Sequence, residues 1–244
     1  MKSKAILISS VEGLHLAKGY DILYFGHEFC EHLIPSLGDF KIAHNYAKNN
    51  NLGFTIVTPY VTDKGIKQIS KIVSNFKNCE IVINDWGVLD LLQNHDLKIN
   101  LGRLLTKRKK DPRISNQEFN RDILDNLTNS NLQIQEFQNF LKQHKVSRIE
   151  IDNAVQGQPT TSFPQSLYYP YVYLTTTRKC PFIGINTLSN KVTFLSGCTK
   201  ECKKYSAKIS NDKLGKIILK DNAQFFINNK LPKGIDRLVY IPWT

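Results

Sequence analysis

Short apolar runs alternate with amphipathic segments along the chain. The runs are bounded by glycine, proline or polar pairs, which is the pattern of buried strands. We predict such strands at 20–26, 52–59, 80–87, 99–105, 148–153, 166–176, 215–227 and 236–242. Apolar residues at helical spacing predict helices at 39–50, 62–76, 88–94 and 132–144, and the polar stretch 106–130 is predicted to be irregular.

Strands and helices alternate most regularly in the first two thirds of the chain. This order is typical of a parallel sheet with helices outside it, and about eight units in 244 residues suit a closed (β/α)8 barrel. Few helices are predicted after residue 153, so we expect an α/β fold with an incomplete or distorted TIM-like barrel and a cysteine-rich insertion after the sixth strand. An open doubly wound sheet is the alternative. No linker is evident, and residues 1–244 are predicted to form a single domain.

The charge of the chain is strongly basic. Lysine and arginine outnumber aspartate and glutamate by 33 to 21, which gives a formal net charge of +12. A basic surface suits an anionic partner such as nucleic acid. Basic residues are concentrated at 103–113 and 200–220, and these runs either bind phosphate or RNA or form solvated faces. A general richness in lysine explains the charge equally well.

The sequence also bears on the compartment. The apolar run within residues 1–10 is much shorter than a signal-peptide core, and no stretch approaches the roughly 20 apolar residues of a membrane span. We therefore expect a cytoplasmic protein with no membrane span. In that compartment, closely spaced cysteines favour metal binding or catalysis over disulfides.

Three of the five cysteines, Cys180, Cys198 and Cys202, lie close together in the sequence. Together they are one ligand short of a four-thiolate site. Cys30 is the better candidate for the fourth, because it lies in a polar turn after a strand, whereas Cys79 precedes an apolar run and is interpreted as a core residue. Four thiolates suit either zinc or an iron–sulfur cluster, and the neighbouring lysines are expected to favour the thiolate form.

Polar residues follow several predicted strands. In a barrel these strand ends meet at one rim, so Asp85, Arg103, Asp152 and Asn153 are candidates for groups that face a substrate. An aspartate at such a position serves as a base or orients a hydroxyl group. The alternative is that these residues only cap helices or close turns.

Two further patterns bear on the chemistry. Tyr169, Tyr171 and Tyr173 alternate along the sixth predicted strand and would share one face, which either stacks on a flat ring or belongs to the core. Nucleotide-binding glycine motifs and the common hydrolase motifs are absent from the sequence. Hydrolytic chemistry therefore has no recognisable nucleophile and base.

Four sequence segments together resemble the peptidase U32 family. They are residues 82–89 (VINDWGVL), 102–105 (GRLL), 150–153 (EIDN) and the cysteine order of two single residues followed by C-x₃-C. The closest resemblance within the family is to the UbiU/UbiV-like iron–sulfur proteins of oxygen-independent ubiquinone biosynthesis. It spans roughly residues 20–205.

The resemblance implies a barrel-like fold and a four-iron, four-sulfur (4Fe-4S) cluster held by Cys30, Cys180, Cys198 and Cys202. It also implies oxygen-independent hydroxylation of an aromatic substrate, either a quinone precursor or an RNA base, by a heterodimer with a related U32-family subunit. Two other functions stay open at this point. One is a zinc-stabilised RNA-binding module, and the other is a U32-type peptidase.

Overall fold

The structure is a computed structural model that describes residues 2–111, 119–185, 197–211 and 215–243. Numbered in chain order, its strands are β1 (Ser3–Ile8), β2 (Ile22–Gly26), β3 (Gly53–Val57), β4 (Glu80–Ile83), β5 (Lys98–Leu101), β6 (Val146–Asp152), β7 (Gln165–Tyr169), β8 (Tyr171–Thr176), β9 (Ala207–Asn211), β10 (Gly215–Lys220), β11 (Ala223–Ile227) and β12 (Arg237–Tyr240). Its helices are α1 (Leu37–Asn49), α2 (Asp63–Val73), α3 (Trp86–Leu91), α4 (Arg121–Thr128) and α5 (Gln135–Gln143).

Eight parallel strands close into a barrel. They follow chain order from β1 to β7, and β12 completes the ring by pairing with both β7 and β1. Helices connect the strands from β2 to β6, whereas β1 is followed by a 3₁₀ segment, Val11–Ala17. The predicted α/β barrel is therefore confirmed, and it is distorted where it was expected to be, because the described residues between β6 and β7 contain no helix.

Local sequence signals account for the outer helices. Ser36 caps α1 in a reciprocal capping box with Asp39, which satisfies two backbone N–H groups at the helix start. The helix then buries Phe40, Ala43 and Ala47 against the barrel. In α2 the buried residues Ile69, Ile72 and Val73 recur at the three- and four-residue spacing of one helical face.

Four segments differ from the sequence-based prediction. The amino-terminal apolar run forms the barrel strand β1, which was not predicted as a strand. Residues 166–176 contain two strands that separate at Pro170 and belong to different sheets. Proline has no N–H to donate to a neighbouring strand, so it favours a break at this position. Residues 215–227 form a hairpin outside the barrel, and 106–130 contains the helix α4.

A second sheet covers one end of the barrel. It is antiparallel, with the order β8-β11-β10-β9, and it lies in the connection between β7 and β12. Ala223 and Phe225 of β11 pack against Phe29 and Leu104, which follow the barrel strands β2 and β5. This sheet therefore covers the carboxyl-terminal mouth of the barrel, where the loops after the parallel strands meet.

The barrel interior has an apolar layer and a polar layer. Ala5, Tyr24, Val57, Val82, Tyr168 and Val239 belong to the apolar layer. In the polar layer the fully buried Glu150 accepts hydrogen bonds from Tyr24 (3.2 Å) and Asn100 (3.1 Å) through Oε1, while Oε2 has no partner among the described residues. Burial raises the pKa of Glu150 to about 8, because desolvation outweighs the attraction of Arg237.

No helix among the described residues has both the length and the apolar character needed to cross a membrane.

The raised pKa of Glu150 predicts a measurable pH dependence of stability. Between the unfolded value of 4.5 and the folded value of about 8, the folded protein holds a proton that the unfolded chain has released. Folding is therefore favoured at the lower pH, and the Glu150 contribution falls by up to about 1.4 kcal/mol per pH unit as pH rises through this window. Glu150→Gln lacks this contribution.

Urea unfolding of the wild type and of Glu150→Gln, at several pH values from 5 to 8, measures the contribution of Glu150 to stability. The free energy of unfolding of the wild type should decrease relative to that of Glu150→Gln as pH rises. Groups that titrate alike in both proteins cancel in this difference. Parallel stability curves for the two proteins would show that Glu150 ionises normally in the folded state.

Candidate functional site

The turn between β10 and β11 extends to the barrel mouth through Asp221. The Oδ2 atom of Asp221 lies 3.0 Å from Nε2 of His27, and its carboxylate also accepts a hydrogen bond from the thiol of Cys202. The backbone oxygen of the same residue accepts from Sγ of Cys180 at 3.7 Å. One residue thus contacts three separate segments of the chain.

His27 connects Asp221 to the backbone of Cys30. Its Nδ1 atom accepts hydrogen bonds from the backbone N–H groups of Phe29 and Cys30, both at 3.2 Å. Nδ1 therefore carries no proton, and Nε2 donates its proton to Asp221. The imidazole is neutral in this arrangement, and it fixes the conformation of the turn that bears Cys30.

Asn222 reinforces the same junction. It is 4% exposed, and its Nδ2 atom lies 2.6 Å from the backbone oxygen of Phe29, 2.8 Å from that of Thr177 and 2.9 Å from the hydroxyl oxygen of Tyr60. These acceptors follow β2, β8 and β3, respectively. The Asp221–Asn222 turn therefore fixes the loops on both sides of the cysteines.

All four predicted cysteine ligands lie in this region. The thiol of Cys30 interacts electrostatically with those of Cys180, Cys198 and Cys202, and Cys180 interacts with Cys198 and Cys202. Cys79 lies elsewhere, in the main hydrophobic core just before β4, as predicted. The structure thus brings together thiols that are about 150 residues apart in sequence, and their role as ligands stays a prediction.

The protonation of these thiols differs from the expectation. Burial raises the pKa of Cys30 to about 11 and that of Cys202 to about 12, and it also raises the pKa of Cys180. The expected lowering by neighbouring lysines does not occur, because desolvation and the other thiols dominate. Cys30, Cys180 and Cys202 are therefore protonated at neutral pH, and binding of a metal to them would release protons.

The donor set suits a thiolate-bound metal centre. Among the residues that the structure describes, no three His, Cys, Asp or Glu side chains lie close enough together to hold a single metal ion. The backbone N–H of Lys200 donates to Sγ of Cys198 at 3.4 Å, a contact made by the sulfur ligands of both zinc sites and iron–sulfur clusters.

A second cluster of charged side chains lies beneath the covering sheet. Arg103 is 1% exposed and makes a bidentate ion pair with Glu28, at 2.6 and 3.0 Å, and a single contact of 2.7 Å with Asp152. Asp152 also pairs with Lys110. Burial alone would lower the pKa of Arg103, but the two carboxylates outweigh it and raise the pKa. Two of the four predicted strand-end residues, Arg103 and Asp152, therefore contact each other directly.

The approach of two strand ends directs Arg103 inward. Asn84 donates to the backbone oxygen of Thr58 at 2.8 Å and accepts from the N–H of Leu104 at 3.1 Å. Gly102 packs against Asn84 so closely that a Cβ atom there would lie 2.1 Å from its Oδ1 atom. Residues 82–89 and 102–105, two of the segments that carry the family resemblance, thus contact each other. Glycine is required at position 102 because a side chain there would collide with Asn84.

The other two predicted strand-end residues have structural contacts. Asp85 caps α3 by accepting from the N–H of Gly87 (2.8 Å), and it also accepts from the N–H of Val61 (3.2 Å). Asn153 donates to the backbone oxygens of Asn228 and Lys230. The alternative that these residues serve as caps and closures is therefore observed, and neither residue lies in the Arg103 cluster.

Two further expectations are corrected. Within the basic run 103–113, Arg103 and Lys110 are buried, and Arg108 donates to the backbone oxygens of Thr128 and Gln156, so these three side chains do not form a solvated face. Tyr169, Tyr171 and Tyr173 do not form one row. Tyr169 packs on Tyr240, Tyr171 stacks on Trp243, and Tyr173 contacts Phe29 and Phe225.

Two cavities flank the turn that bears Cys30. One, of about 160 Å³, is lined by His27, Phe29, Arg103, Lys220, Asp221 and Trp243. The other, of about 220 Å³, is lined by Cys30, Tyr60, Arg178 and Asn222, with the Arg178 guanidinium 5.5 Å from the centre of the Tyr60 ring. A small molecule in the second cavity would contact Cys30, and one in the first would contact His27 and Asp221.

Sequence reasoning did not identify His27, Glu28, Asp221 and Asn222 as site residues. The segment from His27 to Cys30 carried a usable signal, since polar residues there follow a buried strand directly. Asp221 and Asn222 carried none, because their segment was predicted as part of a barrel strand.

No protein-family model matches the chain, and no curated protein matches it significantly.

The Arg103 cluster predicts a large stability difference between two arginine variants. Arg103→Leu leaves the buried carboxylate of Glu28 without its partner, so it should lower the free energy of unfolding by roughly 3–5 kcal/mol. Arg148→Leu is the matched control, because Arg148 pairs with Asp236, whose side chain is 46% exposed, and should cost at most about 1 kcal/mol.

Urea unfolding at neutral pH measures both changes. The double variant Arg103→Leu/Glu28→Leu also removes the unpaired carboxylate of Glu28. It should therefore recover part of the free energy of unfolding that Arg103→Leu loses. Equal effects of Arg103→Leu and Arg148→Leu, or no recovery in the double variant, would contradict the structural role of the cluster.

Proposed function

We propose that the protein is a 4Fe-4S protein of the U32/UbiV-like type that takes part in oxygen-independent hydroxylation of an aromatic substrate. The convergence of Cys30, Cys180, Cys198 and Cys202 at the barrel mouth carries this proposal. The four thiols are the ligand set that such a cluster uses, and when bound the cluster supplies one-electron redox chemistry.

The surroundings of the thiols support a buried redox centre. Cys202 is 8% exposed and packs against Phe182 and Leu219, and the other three cysteines are partly buried. A reducing compartment such as the cytoplasm keeps the thiols free, and we propose that location.

The arrangement favours a metal-binding role over a peptidase role. A cysteine nucleophile needs a neighbouring imidazole that accepts its proton. Both ring nitrogens of His27 are already engaged, one by two backbone N–H groups and the other by Asp221. The pKa of Cys30, raised to about 11 by burial, also opposes a reactive thiolate.

The cavities suggest where a substrate would lie. The cavity of about 220 Å³ presents the rings of Phe29 and Tyr60, the Arg178 side chain and Cys30 itself. Glu31 also lines the cavity, and its carboxylate accepts two hydrogen bonds from Thr62. The aromatic walls suit a planar ring, and Arg178 supplies a cation for an acidic group on it. On the opposite side of the turn, Arg103 lines the smaller cavity, but its guanidinium is buried in ion pairs with Glu28 and Asp152. A role for Arg103 towards a substrate is therefore proposed from its strand-end position alone. The related partner subunit is proposed from the family resemblance alone.

Iron analysis of anaerobically purified protein tests the proposal. The wild type should be brown and contain about four iron and four sulfide per chain. Cys30→Ala should lose most of this iron, because one of four ligands is gone. Cys79→Ala is the matched control, since burial raises the pKa of that thiol also to about 11 but Cys79 lies in the core away from the other four cysteines.

Iron-free wild-type protein would refute the proposal. Zinc in place of iron would support the zinc-stabilised RNA-binding alternative. Loss of iron in Cys79→Ala with retention in Cys30→Ala would show that the ligand assignment is wrong.

A further inference from the structure

A larger cavity lies at the opposite, amino-terminal end of the barrel. Its volume is about 380 Å³, within the usual range for small-molecule sites. The end of α1, the beginnings of β3 and β5, and the loop before β4 form its walls. It shares no lining residue with the cysteine site or the two cavities beside it.

Three lysines from three separate segments surround this cavity. They are Lys48 in the last turn of α1, Lys77 in the loop before β4, and Lys98 at the start of β5. All three are exposed, and none has an ion-pair partner within the described ranges. Arginines near the same end of the barrel are paired, Arg148 with Asp236 at 2.8 Å and Arg237 with Glu80 at 3.0 Å. The lysines are therefore the uncompensated cations here.

The carboxylate within the cavity does not offset these charges. Glu80 is engaged by Arg237 and also accepts hydrogen bonds from Thr55 and Asn100. Its negative charge is thus already neutralised by a guanidinium group. The lining carries three free positive charges, and an anion entering it would meet no unpaired carboxylate of a lining residue.

The remaining wall is apolar and aromatic. Ile22, Leu52 and Phe54 line it, and the ring of His44 stands edge to face with Phe54 at 5.1 Å between centroids. A ligand that suits both halves of the cavity carries an anionic group at one end and a flat or apolar body at the other.

We propose that this cavity binds a small phosphate ester of mononucleotide size. The ammonium groups of Lys48, Lys77 and Lys98 hold the phosphate, for which lysine is a flexible point-charge partner. The ring or sugar lies against Phe54 and His44. This site is independent of the proposed cluster, so a failure of one proposal leaves the other standing.

Isothermal titration with AMP at low salt tests the proposal. The wild type should bind AMP saturably, and adenosine should bind at least about tenfold more weakly, because it lacks the phosphate. Lys48→Glu and Lys98→Glu should each weaken AMP binding by about tenfold or more. Lys142→Glu is the control: it makes the same charge change at an exposed lysine that also occupies the last turn of a helix, α5.

The control should change AMP affinity by less than about twofold, since charges far apart on the surface are screened by salt. Circular dichroism of each variant shows that it is folded. The proposal is overturned if the wild type shows no saturable AMP binding, if adenosine binds as tightly as AMP, or if Lys142→Glu weakens binding as much as Lys48→Glu does.

Discussion

The organisation of the cysteine site depends on the contacts of Asp221. Its carboxylate binds His27 and Cys202, and its backbone oxygen binds Cys180, so one residue ties together segments that are almost 200 residues apart. Burial opposes the charge of this carboxylate, but the contacts with His27, Lys220 and the Cys202 thiol together outweigh it and lower the pKa of Asp221. The positive φ of 53° at Asp221 shows that the turn is held in a conformation that few residue types adopt readily. The barrel supplies the loops, and the turn fixes them relative to one another.

The two ends of the barrel then have different roles. At the carboxyl-terminal mouth, charges are buried and mutually compensated, as in the Arg103–Glu28–Asp152 cluster, and Cys202 packs against Leu219 of the second sheet. At the amino-terminal end, paired arginines stabilise the barrel, while three lysines around an open cavity have no ion-pair partner in the part of the chain that the structure describes. Buried pairs confer a fixed geometry, and unpaired exposed charges are free to meet a ligand. The proposed redox centre and the proposed anion site therefore lie at opposite ends of one barrel.

Much of the barrel was predictable because its strands are short apolar runs between clear helices. The strand β1 was not predicted, since its run of residues 3–8 has no helix after it and resembles an ordinary chain terminus. The second sheet escaped prediction because residues 215–227 were interpreted as one strand rather than a hairpin, and because β8 pairs with the distant strand β11. Local periodicity does not show which sheet a strand joins. Of the site, the cysteines were recognisable from residue type and spacing. Asp221, Asn222 and Glu28 were not, because ordinary polar residues gain their roles only from the tertiary contacts that surround them.

Amide hydrogen exchange of metal-free protein tests the role of Asp221 most directly. Asp221→Gly keeps the positive φ accessible but removes the carboxylate that holds His27. We predict that the backbone amides of Phe29 and Cys30, which donate to His27, exchange at least about tenfold faster in this variant, while amides in β4 exchange at the wild-type rate. Unchanged exchange at Phe29 and Cys30 would show that Asp221 does not hold the cysteine-bearing turn, and would contradict this account of how the site is assembled.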